Sequence, residues 1–168
     1  MNEDFINFYV TPSIIQQYTL NKKWGINAWL KTLGLKKNES NFFTKFGNKL
    51  HNKLEYNNNR RFYTVFNVDD LNVFMEGTPD HLNPLKELKT CSYYKLANKF
   101  EREKIVEAAA MQLRGYMMLT GDEYGYVVLY CREGIVDEYS VVVHRDDESF
   151  KKKVKELYEE LQKSFQHI

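Results

Sequence analysis

Between residues 61 and 90 three short runs, RFYTVFNV, LNVFMEG and LKELKT, are dense in aromatic and β-branched residues and are separated only by Asp69-Asp70 and by TPDHLNP. Breaks this short, built from Asp, Pro and Asn, leave no room for an intervening helix, so the best fit is a meander of three strands. The segment from about Ala97 to Leu119 then changes period. It is rich in helix formers, and Ile105, Ala108, Ala109, Gln112, Leu113 and Tyr116 fall along one side. After a turn at Gly121 and Asp122, YGYVVLYC and EYSVVVHR are the most apolar strands of the chain and are expected to be central. DDESFKKKVKELYEELQKSF closes the sequence as an amphipathic helix.

Upstream of the strands, Thr11-Pro12-Ser13 reads as a helix start carried forward by Ile14, Ile15 and Tyr18, while its continuation past Gly25 to Leu33 stays open. Ser40 can cap a second helix with Phe42, Phe43, Phe46, Leu50 and Leu54 on its apolar face, ended by the three asparagines at 57–59. The order is α, α, β, β, β, α, β, β, α. It predicts a fold of the α/β (α+β) class in one domain over 1–168, with 1–58 an N-terminal helical part and 59–168 a sheet core plus C-terminal helix.

Hydrophobic residues make up 43% and charged residues 28%, a globular balance, and no apolar run approaches the roughly 18 residues of a membrane span. The start, MNEDFINFYV, lacks a basic region followed by an apolar stretch, so a cytoplasmic protein without a membrane partner is expected. Cys91 and Cys131 are far apart in sequence and form no C-x-x-C pair, which predicts buried thiols rather than a disulfide framework. The net charge of +1 hides a split: residues 1–68 hold ten Lys or Arg against four Asp or Glu, +6, leaving −5 for the rest. Such a separation can present a basic face to a phosphate backbone, or it can reflect solvated helix faces. Lys22, Lys23, Lys49, Arg60 and Arg61 are the candidate phosphate contacts, and Trp24 or Trp29 could stack on unpaired bases or belong to the core.

The segment MEGTPDHLNPLKELKT places Asp80 at a strand end, with Glu87 and Lys89 two apart on the next strand and therefore on one face. Two carboxylates and an ammonium would converge. Carboxylates suit a hard divalent cation such as Mg2+, which engages substrate phosphates. A lysine beside it could orient or deprotonate a water, or stabilise the charge of a phosphorane. The same E-x-K spacing also arises from an exposed ion pair on any strand. His51, one helical turn after Gly47, is either a further metal ligand or an ordinary helix-surface histidine. Gln112 and Tyr116, at i and i+4, share a helix face with small alanines, which packing against a sheet explains equally well.

Taken in order, G-x-x-x-H on a helix (Gly47, His51), G-x-x-D at a strand end (Gly77, Asp80), E-x-K on the next strand and Q-x-x-x-Y on the following helix resemble the PD-(D/E)XK nuclease superfamily. Within it they are similar to the RecB-like exonucleases that include CRISPR-associated DNA-end-processing nucleases. PSIIQQYTLNKKW extends the likeness through a Ser-x-Ile-x-x-Tyr opening. The resemblance implies a restriction-endonuclease-like αβββαβ core with a mixed central sheet flanked by helices. It implies His51, Asp80, Glu87 and the Leu88 carbonyl as ligands of Mg2+ or Mn2+, Lys89 as the catalytic lysine, and Gln112 and Tyr116 as residues that position DNA and that lysine. The implied activity is metal-dependent hydrolysis of DNA phosphodiester bonds, as an exonuclease processing ends in recombination, repair or viral or CRISPR-related DNA metabolism. A structure-selective endonuclease and a non-catalytic nucleic-acid-binding subunit of a larger complex are the alternatives. The CRISPR-associated relatives carry four cysteines for an iron–sulfur cluster. Here the opening helix and the last 37 residues have none, so no cluster is expected.

Overall fold

A computed structural model describes residues 5–32, 60–133 and 138–165. The expected second helix, with Gly47, Lys49 and His51, lies outside the described residues. The strands are β1 (Ile6–Val10), β2 (Phe62–Val68), β3 (Leu71–Gly77), β4 (Lys86–Cys91), β5 (Tyr124–Cys131) and β6 (Glu138–His144). The helices are α1 (Pro12–Leu20), α2 (Lys22–Thr32), α3 (Tyr93–Ala97), α4 (Lys99–Thr120) and α5 (Asp147–Phe165). This is a mixed α+β fold, and among the described residues α2-β2-β3-β4-α4-β5 follow in the αβββαβ order expected of a restriction-endonuclease-like core, with the short α3 inserted.

The six strands form two three-stranded sheets. One has the order β1-β3-β2, with β1 parallel and β2 antiparallel to β3. The other has the order β4-β5-β6, with β4 parallel and β6 antiparallel to β5. The three-stranded meander therefore holds only for its first two members. Asp69 enables that hairpin: it takes the left-handed conformation (φ 50°), which Asp tolerates better than most residues, and Val68 faces Leu71 across the turn. β4 does not continue the ladder of β3. The chain between them turns through Asn83 (φ 56°) and an isolated bridge from His81 to Lys86, and β4 pairs with β5 instead. β5 is central as expected, whereas β6 lies at its sheet's edge among the described residues.

Helix α1 ends at Asn21, and α2 begins there. The extended backbone of Asn21 stops the first helix, while its side-chain oxygen accepts from the Lys23 and Trp24 amides and caps the second. Gly25 lets the two helices close up, because a Cβ there would collide with the Cα and Cβ of Tyr18. Apolar residues of α1 (Ile14, Ile15, Tyr18) and α5 (Phe150, Val154, Leu157, Leu161) cover the inner face of the first sheet at Phe8, Val10, Val73 and Met75. The other sheet packs on α4, where Ala109, Ala110, Leu113 and Met117 lie against Val127, Leu129 and Val143. Helix α4 touches both sheets and α1, so what it carries is held from three sides. Among the described residues no helix is long and apolar enough to cross a membrane.

Candidate functional site

Strand alternation puts Glu87, Lys89 and Cys91 on the side of β4 that faces α4, and Cys91, with Leu85 just before the strand, joins the core there. Glu87 is carried into the same interior and is 1% exposed. Asp80 comes from the β3–β4 connection and is 9% exposed. Its Oδ2 accepts from the Leu88 amide at 2.8 Å, so a carboxylate occupies a backbone amide of β4 that no strand meets. The Lys89 ammonium lies 3.3 Å from Glu87 Oε1, and its side chain is 21% exposed. Asp80, Glu87 and Lys89 are thus brought together, and the Glu87–Lys89 pair is not the exposed surface pair that the spacing also allowed.

Burial works against the ionised form of Glu87, and the negative charge of Asp80 beside it adds to the effect. Lys89 opposes both without cancelling them, so the Glu87 carboxyl titrates well above the usual carboxylate range. Its Oε2 is buried without a hydrogen-bond partner among the described residues. The Glu87 and Asp80 carboxyls also hydrogen-bond to each other, which further favours the protonated form of Glu87, and two buried carboxyls sharing a proton are unusual for an arrangement serving the fold alone. A group that brings positive charge to this spot would relieve it, and two adjacent carboxylates are the donor set that a hard divalent cation takes while keeping waters of its own. No group of three or more His, Cys, Asp or Glu suited to a metal occurs among the described residues, so the pair Asp80 and Glu87 is what they offer.

Helix α4 supplies the neighbouring polar groups. Gln112 Nε2 donates to the Tyr116 hydroxyl at 3.2 Å, both residues are buried, and Gln112 Oε1 has no partner among the described residues. Tyr116 also explains the glycine that ends β3: a Cβ on Gly77 would stand 2.9 Å from the tyrosine ring and 3.2 Å from Pro12. The G-x-x-D and Q-x-x-x-Y segments therefore lock into each other through one close contact.

Lys89 opens onto a cavity of about 370 Å³ whose other lining residues include Gln16, Leu20 and Trp24 from α1 and α2, Lys95 from α3, Lys104 from α4 and Arg132 after β5. Sequence reasoning did not assign these cations to the site, because three separate parts of the chain bring them together. Trp24 is 56% exposed, whereas Trp29 stacks on Phe8 (centroids 5.8 Å apart) and donates from its indole nitrogen to the Tyr9 carbonyl. The basic residues expected to meet phosphate are placed elsewhere. Lys22 pairs with Glu160 at 3.7 Å, Arg61 with Glu76, and Arg60 lies over the Phe62 ring at 5.1 Å. Lys23 is exposed in the first turn of α2, and none of these four lines the cavity.

No family model and no curated protein matches the sequence. Solved structures do match. The crystal structure of SSO0001 superposes with a TM-score of 0.57 at 14% identity, over 94% of this chain and 77% of that one. The likeness is one of fold. An alkaline exonuclease, LHK-Exo from Laribacter hongkongensis, aligns at 13% identity with a TM-score of 0.46 over 95% of this chain and 90% of its own. Its complex with dAMP aligns with a TM-score of 0.48 at 13% identity, over 94% and 90%.

Proposed function

We propose that the protein is a deoxyribonuclease dependent on Mg2+ or Mn2+, with Asp80, Glu87 and Lys89 at its centre. The observation that carries the reading is a fully buried carboxylate, Glu87, set beside Asp80 with one oxygen unpartnered and joined by Lys89 to an open cavity. Asp80 and Glu87 would hold the cation, with the Leu88 carbonyl and His51 as the further donors that the family resemblance implies. The bound cation supplies positive charge against the phosphate and makes a coordinated water more acidic.

The remaining roles belong to the chain. Lys89 keeps an ammonium between the buried pair and the cavity, where it can stabilise charge gathering on phosphate oxygens in the transition state. Gln112 and Tyr116, hydrogen-bonded to each other on α4, position Lys89 and the strand beside it. The resemblance favours removal of nucleotides from DNA ends over internal cutting. Incubation with Mn2+ and either end-labelled linear or covalently closed DNA tests both levels. Loss of label from ends with circles intact supports the exonuclease, cutting of circles replaces it by an endonuclease, and binding without any cutting refutes the enzyme.

A further inference from the structure

We propose that the cavity beside Lys89 is the entry path for one strand of nucleic acid, with Trp24 stacking on a base and Lys95, Lys104 and Arg132 meeting the backbone. This rests on the nuclease reading of the Lys89 site and adds where the substrate lies and in what form. Three observations carry it. The lining holds Lys89, Lys95, Lys104 and Arg132 with Glu101 as its one carboxylate; Lys104 lies 3.9 Å from Glu101 and Lys89 3.3 Å from the buried Glu87, and positive charge still exceeds negative. That balance suits a polyanion and not an acidic or neutral peptide.

At the mouth stands Trp24, 56% exposed, its backbone fixed by the Asn21 cap of α2. A large flat ring exposed beside cations is what binds a base without regard to sequence, since every base has a π face. The volume, about 370 Å³, is near the lower end of the ~300–1,000 Å³ that small-molecule sites span. A space of that size matches one nucleotide, and a base can stack on Trp24 only once it has left its own stack. Single-stranded DNA, or a frayed end, is therefore the occupant. Lys89 at the inner wall brings the strand's phosphate to the buried carboxylates.

The test uses the whole protein in chelator, so that nothing is cut, with a fluorescein-labelled oligothymidylate and the matching duplex as probes. Anisotropy should show tighter binding of the single strand. Trp24→Ala should weaken it by about 5-fold to 150-fold, the range expected for one stacked base. Lys95→Ala with Lys104→Ala should lower the slope of log K against log salt by about 1.4, two contacts at ~0.7 each. Oligothymidylate should also quench tryptophan fluorescence in the parent and not in Trp24→Phe, where only Trp29 remains. Binding and salt slope unchanged in these variants, in a parent that cleaves DNA with Mn2+, would overturn the path while leaving the nuclease reading in place. Equal or tighter binding of the duplex, lost in the same variants, would overturn the single-strand assignment. A parent that neither binds nor cleaves would overturn both.

Discussion

Replacing Glu87 by glutamine should make the cation-free protein more stable while ending its proposed activity. Glu87 is 1% exposed, with one oxygen unpartnered, Asp80 beside it, and Lys89 at 3.3 Å as its counter-charge. The gross attraction to Lys89 is on the order of 5 kcal/mol at an effective dielectric constant of about 20. Burying a carboxylate costs several kcal/mol, and Asp80 adds repulsion. The raised pKa means that the unfavourable contributions win. Glutamine keeps the shape, removes the charge and can donate an N–H to Asp80, and the part-exposed Lys89 ammonium can turn to water; a gain of roughly 2 kcal/mol is therefore expected near pH 8, the order of one buried polar group's desolvation penalty. For a chain of this size that is about 4–8 °C in Tm. A carboxyl whose pKa is raised by folding contributes stability below its ordinary value, 4.5, and loses it as pH rises through the folded value. The advantage of Glu87→Gln should therefore be small at pH 4 and grow towards pH 8. Thermal unfolding followed by circular dichroism in chelator at several pH values measures this. Adding Mn2+ should then stabilise the parent, by about 2.7 kcal/mol at a hundredfold excess over Kd, and not the variant. A variant less stable than the parent throughout, or an advantage that shrinks with pH, would refute the reasoning.

Gly77→Ala would set a methyl 2.9 Å from the Tyr116 ring and 3.2 Å from Pro12, so a loss of about 1–3 kcal/mol by denaturant titration is expected, with slower cleavage because Tyr116 must shift. Parental stability would show that Tyr116 is not held at this contact. The phenols of Tyr9 and Tyr18 are pushed up to about 12, chiefly by burial, with Glu76 and Glu160 respectively adding to it. Their contribution to stability is complete below about pH 10 and lost as pH rises towards 12. Tyr18→Phe should flatten that alkaline decline in thermal unfolding, and an unchanged slope would assign the decline to other groups. Raising Mn2+ should recover part of the DNA cleavage lost in Asp80→Asn but none of that lost in Lys89→Ala, because only the former removes a ligand; equal recovery in both would contradict that division.

Apart from the five-residue α3, whose YYKLA is too short to show a period, the helix and strand order after residue 60 was legible because each element there buries one face and keeps its own period. β1 was not: in INFYV, Phe8 and Val10 are buried, but Ile6 on their own face and Tyr9 on the other are apolar and exposed, so alternation is blurred. Its parallel pairing with β3, more than sixty residues away, leaves no local sign. The break between α1 and α2 was hidden because apolar spacing continues across Asn21 while its side chain caps the second helix. The Glu87–Lys89 pair could be read because two residues apart on a strand means one face, and burial then distinguished it from a surface pair. The cavity could not. Trp24, Lys95, Lys104 and Arg132 meet through tertiary packing, and Arg132 is brought there by the register that sets Cys91 beside Cys131.

The central claim is that Asp80, Glu87 and Lys89 act together on a phosphodiester bond. Single-turnover cleavage of end-labelled single-stranded DNA in Mn2+, by the parent and by Lys89→Ala, tests it most directly. The account predicts that the parent cuts and that Lys89→Ala still binds DNA and Mn2+ but cuts orders of magnitude more slowly, as expected of a group acting mainly in the transition state. Cleavage by Lys89→Ala at the parental rate would contradict it.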